Sequence, residues 1–127
     1  MSFKSDINRF KDKASDRAKI VFYKVCFDMS ESIIKQTPVD SGRAKGNWQP
    51  TINSPASGTT NDLGEVSIGK TGSVAAKLKL GDTFYLVNNL PYIKRLNDGW
   101  SDQAPAGFVD STVSRFRQIA RKAAKQL

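Results

Sequence analysis

The chain has no histidine and a single cysteine, Cys26, in 127 residues. Without histidine there is no Ser-His-Asp or Cys-His catalysis and no imidazole-ligated metal. One cysteine makes neither an internal disulfide nor a cysteine-cluster zinc site. Long apolar runs are also missing: stretches such as Ile20–Tyr23 fall far short of the roughly 18 apolar residues that a membrane span requires. The N-terminus, Met1-Ser-Phe-Lys-Ser-Asp6, leads straight into mixed charge and lacks the basic, apolar and cleavage regions of a secretory signal. The expectation is a soluble chain made in a reducing cytoplasm, with Cys26 buried as a small hydrophobe. Acid is scarce as well. Twelve Asp and Glu stand against twenty Lys and Arg, a formal charge of +8. A chain of this length supports a single domain, 1–127, with one core.

Glycine and proline are absent from Phe3 to Lys35, and Phe3, Ile7, Phe10, Ala14, Val21, Val25 and Met29 follow steps of three and four. The spacing predicts one amphipathic helix over 3–36, on the order of 50 Å long at about 1.5 Å per residue. Before Ala18 the apolar stripe is one residue wide per turn, so that half reads as a projecting arm. After Lys19 a second stripe, Ile20, Tyr23, Phe27 and Ile34, lies on the far side. A helix with two apolar faces is sandwiched, here between its own sheet and either the C-terminal helix or another subunit. Thr37-Pro38 ends it, because the residue before proline is pushed out of the helical region.

Beyond a loop at 39–46, the residues Asn47–Ile52 read as a strand, and the polar, turn-rich 53–63 as a mobile loop. Glu65–Ile68 alternates like a short strand, Ser73–Leu80 reads as a short helix closed by Gly81, and Thr83–Asn88 as the best strand. Pro91–Leu96 forms a helical turn or two before the Asn97-Asp-Gly99 turn. Val109, Val113, Phe116, Ala120, Ala123 and Leu127 then predict a C-terminal helix over 107–126. Together these describe an α+β domain in which long N- and C-terminal helices pack on a small, mainly antiparallel sheet of about three strands.

Gly64-Glu-Val-Ser-Ile-Gly-Lys-Thr71 fits the phosphate-binding loop expression, yet no apolar strand precedes it and its middle alternates like a strand itself. It reads instead as a strand leaving through a turn. Asp98 and Asp102 flank Trp100 and read as loop-solvating turn acids rather than as a catalytic or magnesium-binding pair. No catalytic, cofactor-binding or metal-binding residue is expected. Residues 1–36 carry eight positive and five negative groups, 37–105 seven and six, and 106–127 five and one, so half the excess charge lies on the last helix. Arg115, Arg117, Arg121, Lys122 and Lys125 fan across its polar face. Such a face lies along DNA phosphates, meets an acidic protein, or is simply solvated. Trp48 and Trp100 serve either as core anchors or as interface anchors.

Two segments, Thr37-Pro-Val-Asp-Ser-Gly-Arg-Ala-Lys-Gly-Asn-Trp48 and Asn88-Asn-Leu-Pro-Tyr-Ile-Lys-Arg-Leu-Asn-Asp-Gly-Trp-Ser-Asp-Gln-Ala-Pro-Ala-Gly-Phe-Val109, carry a resemblance. Together they resemble the head–tail connection proteins of long-tailed bacteriophages, called neck, tail-completion or minor tail proteins. With the flanking helices, the resemblance covers nearly the whole chain. One departure is Asn97, at a position often acidic in the family; the acid here follows at Asp98. The resemblance implies a structural, non-enzymatic virion protein, made in the bacterial host cytoplasm and residing at the head–tail junction. It would form a six- or twelve-fold ring around the DNA channel, between head-completion or connector proteins and the tail terminator or tube, with DNA in transit as a further partner and no membrane. Within it, Arg43, Lys45, Trp48, Tyr92, Trp100 and Gln103 are the interface candidates. The alternative is a small basic DNA-binding protein that uses the C-terminal helix.

Overall fold

The computed structural model describes residues 3–39, 42–99 and 107–126, leaving aside the side chains of 3–8 and 10–12. Helix α1, Phe3–Gln36, is 34 residues long and has the bounds its composition predicts. Its end is closed by Thr37, whose hydroxyl donates to the Ile33 carbonyl at 2.7 Å while its N–H reaches Ile34. Every residue from Lys13 to Ile20 is exposed, although Asp16, Lys19 and Ile20 line a shallow cleft with Ala75, Ala76 and Leu78. From Val21 onward the helix enters the body of the molecule.

A short helix, α2 (Arg43–Gly46), leads into strand β1 (Gln49–Ile52). Residues 53–63 hold no helix or strand, but the segment is tied down: Asn47 bonds both the N–H and the carbonyl of Thr60, and Gln49 and Asn89 donate to the Gly58 carbonyl. The predicted strand at Glu65–Ile68 is not formed. Those residues open helix α3, Val66–Ala75, which also takes in the start of the helix expected at Ser73–Leu80. Ser67, Thr71 and Ala75, four residues apart, are its buried positions. Small side chains on that face let α3 lie close against α1: a Cβ on Gly72 would sit 3.5 Å from the Phe27 ring. That contact overrides the strand-like alternation of Val66 and Ile68.

Strand β2, Phe84–Val87, pairs antiparallel with β1 in the register Gln49↔Val87 to Ile52↔Phe84. The sheet therefore has two strands rather than about three, because the third candidate became α3. Asn53 closes its end from the left-handed region at φ 66°: its N–H donates to the Thr83 carbonyl and its side-chain oxygen accepts the Thr83 N–H, both at 2.8 Å. Next come α4 (Ile93–Asn97), α5 (Phe108–Ser114) and α6 (Phe116–Lys125). The single C-terminal helix expected over 107–126 is thus two, interrupted at Arg115 with φ −90° and ψ 10°. The break changes which side chains are covered: Phe108 and Thr112 are buried, whereas Val113 and Phe116 are about half exposed.

The architecture is α+β. Helix α1 runs through the middle, with α3 on one flank and α5 and α6 on another, and β1 joins the sheet to α3. The core gathers Ile33, Ile34, Trp48 and Phe108, with Ile68, Leu86, Ile93, Leu96 and Val109 packed around them.

Candidate interaction surface

The two motif segments form one unit. The Asn88 amide donates to the Ala44 carbonyl at 2.9 Å, and Trp48 shares the core with Ile93 and Leu96 of α4. Trp48 is 7% exposed and donates its indole N–H to the Thr37 hydroxyl at 2.9 Å. It is a core side chain and not the interface anchor it was also read as, since its ring is covered by its own chain. Thr37 therefore ends α1 and orients the tryptophan eleven residues later. Gly42, at φ 79°, accepts the N–H groups of Gly46 and Gly64 on its carbonyl, and Gly46 lies so close to the Asp62–Leu63 backbone that a Cβ there would collide. On the second segment, Asn97 accepts the Val109 N–H at 3.0 Å and donates to Asp110 at 3.2 Å, stitching α4 to the start of α5.

Of the other interface candidates, Arg43 is exposed at the start of α2 and Tyr92 is 37% exposed just before α4. The Lys45 ammonium is mostly covered and lies 3.5 Å from the Glu65 carboxylate. Trp100 and Gln103 lie outside the described residues, as does Asp102.

The basic face divides in two. Arg115 is exposed but tied back to α1, donating to the Ser32 hydroxyl at 3.1 Å beside a polar node in which Ser32, Gln36 and Thr112 bond one another. Lys122 lines a cleft with Lys24, Asp28 and Glu31 of α1, where acid is close by. Arg117, Arg121 and Lys125 remain as an exposed row at four-residue steps along α6.

Sequence reasoning missed an apolar groove. Between α1, β2 and α6 runs an open groove of about 500 Å³ whose floor is Val21, Phe22, Val25 and Met29. Phe84 and Leu86 of β2 form one wall, and Phe116 and Ala120 of α6 the other. Among the described residues none that lines it is charged, and Ser30 and Cys26 are its only polar side chains. Cys26 opens onto it, and partial burial pushes its thiol from an ordinary 9.0 up to about 11, so it is a protonated, unreactive thiol at neutral pH. The signal was present in the double stripe of α1. The far stripe, with Tyr23 and Phe27 stacked at 6.1 Å, meets α3, and the near stripe is only partly roofed by α6.

The phosphate-loop match forms no cradle. Gly69, Lys70 and Thr71 sit inside α3, the Thr71 hydroxyl is spent on the Ser67 carbonyl at 2.8 Å, and Lys70 pairs with Asp62. A phosphate site needs free backbone N–H groups at a helix start, and these are engaged in the helix. The expected strand-and-turn reading of this stretch is likewise replaced by helix. Among the described residues no group of His, Cys, Asp or Glu is placed to hold a metal ion, and no helix is long and apolar enough to cross a membrane. Comparison with family models, with curated proteins and with solved structures finds no match to the chain.

Proposed function

We propose that this chain is a non-catalytic structural subunit of a ring joining the head connector to the tail of a long-tailed bacteriophage. The observation that carries the reading is the union of the two motif segments. Asn88 reaches Ala44, and Trp48, Ile93 and Leu96 share one core, so residues distant in sequence act as one folding unit, as a joint motif requires. The open apolar groove supports it further, since every subunit of a closed ring must offer its neighbour a docking surface. The finer partners are the connector on one face and the tail terminator or tube on the other, with the junction in the virion as the location. Negative-stain microscopy of the purified protein tests this: closed rings are expected, and loss of the gene should leave heads and tails unjoined. Joined, infectious particles in its absence would overturn the reading.

A second reading rests on the exposed row Arg117, Arg121 and Lys125, which suits a phosphate backbone. If DNA binding is its role, changing all three to Gln reduces the salt dependence of DNA affinity by about three counterions. An unchanged slope rejects it.

A further inference from the structure

The geometry points to the apolar groove as the seat for the N-terminal arm of a second copy of this chain. Two unfilled requirements meet here. The arm needs a partner: every residue from Lys13 to Ala18 is exposed, and a free helix of this length is marginal in water. Its sequence carries a stripe one residue wide, Phe3, Ile7, Phe10 and Ala14, which is the narrow seam of a helix that meets one neighbour. The groove needs an occupant. It is lined mainly by apolar side chains with no charge, and Phe116 at its edge is 50% exposed.

The chain cannot fill its own groove with its own arm, since both belong to one straight helix and the arm points away. Nor does α6 extend over the arm. It runs antiparallel to α1, with Arg115 at Ser32 and Gln126 beside Lys24. Helix α6, which ends at Lys125, thus roofs α1 only as far as about Lys24. Lengths agree as well: the stripe from residue 3 to 14 and the floor from Val21 to Ile33 each cover about 17 Å of helix. One arm and one groove on each copy make a head-to-tail contact, which closes as a ring when the rotation permits. The inference rests on the ring reading only for that closure.

The test places a new thiol on the arm, since Cys26, the chain's single thiol, is held protonated in the groove at neutral pH. A photoactivatable benzophenone maleimide attached to an Ala14→Cys variant of the full chain should, on illumination, join the arm of one copy to groove residues of the next, such as Phe116, and give a ladder of dimers, trimers and larger species. Asp16→Cys, on the opposite side of the arm, should not. Phe10→Asp should weaken association on the order of 100-fold, and Phe116→Gln should weaken it from the groove side. Because the walls are uncharged, raising salt should not loosen the contact. Cross-linked dimers without a ladder would mean reciprocal pairing of two arms and overturn the head-to-tail contact. Rings that form without linkage from residue 14 to the groove would overturn the arm assignment while leaving the ring reading intact. A chain that stays monomeric at high concentration, or whose groove takes up an apolar dye without self-association, would overturn it too.

Discussion

At the scale of single residues, the strongest constraints are where backbones nearly touch. Gly46 approaches the Asp62–Leu63 backbone so closely that no side chain fits, and backbone atoms yield less readily than a flexible side-chain end. Gly46→Ala should therefore destabilise the fold by about 3 kcal/mol in urea titration, whereas a change at the open Gly58 has no such clash to relieve. Cys26 makes a different kind of statement. Its thiol holds its proton longer in the folded chain, from 9.0 to about 11. The associated stability is complete below about pH 9 and is lost as pH rises through about 11. Comparing wild type with Cys26→Ala across that range isolates the thiol from the lysines. If the two lose stability in parallel, the groove does not shield it. Trp48 shows how far a single residue can be read: the sequence leaves core and interface open, and only the hydrogen bond to Thr37 and the covered ring decide for the core.

At the scale of elements, what was legible had strong local grammar. Helix α1 has no glycine or proline inside it and Pro38 after it, and its bounds follow from that alone. Strand β2 combines aromatic and β-branched residues, and its pairing with β1 needed only a partner of similar character. Helix α3 was not legible because its local signals conflict. Gly69, Gly72 and the branched residues around them disfavour helix, while the small residues Ser67, Thr71 and Ala75 at fourfold spacing are what a tight helix crossing uses. That crossing with α1 decides. Gly69 has open space around it, so Gly69→Ala should raise stability by about 0.5–1 kcal/mol in thermal or urea unfolding. Gly72→Leu should instead destabilise, because its added bulk must displace Phe27. If both substitutions stabilise, the α1–α3 approach is looser than described. The break at Arg115 was equally hidden, since Val109, Val113, Phe116 and Ala120 continue one helical stripe across it. At the break Arg115 reaches Ser32, a contact 83 residues away that no local window contains.

At the scale of the whole molecule, the body and the arm are separable in energy. Residues Lys13–Ile20 are exposed, so removing 1–14 should change the stability of the monomer by no more than about 0.5 kcal/mol, measured by denaturant unfolding at low concentration. A much larger loss would mean that the arm folds back onto the body. The candidate surface was half legible in the same sense: the double stripe on α1 announced an unsatisfied face, but which neighbours cover it depends on where α3 and α6 settle. Of the basic face, the sequence supplied the charges, and the fold alone separates Arg115, hydrogen-bonded to Ser32 of α1, from the outward row of α6.

The crossover between the two strands has a kinetic side. Strands β1 and β2 are not a hairpin, because residues 53–83, with α3 among them, lie between their facing ends. Pairing them means closing a long loop before any ladder bond forms, a cost that local helices do not meet. Helix α1 can form and collect α3 first, and that packing shortens the effective loop that the strands must close. The sheet is thus a late clasp in folding order, and the amides of Phe84–Val87 should gain protection from solvent exchange after those of Val25–Ile34.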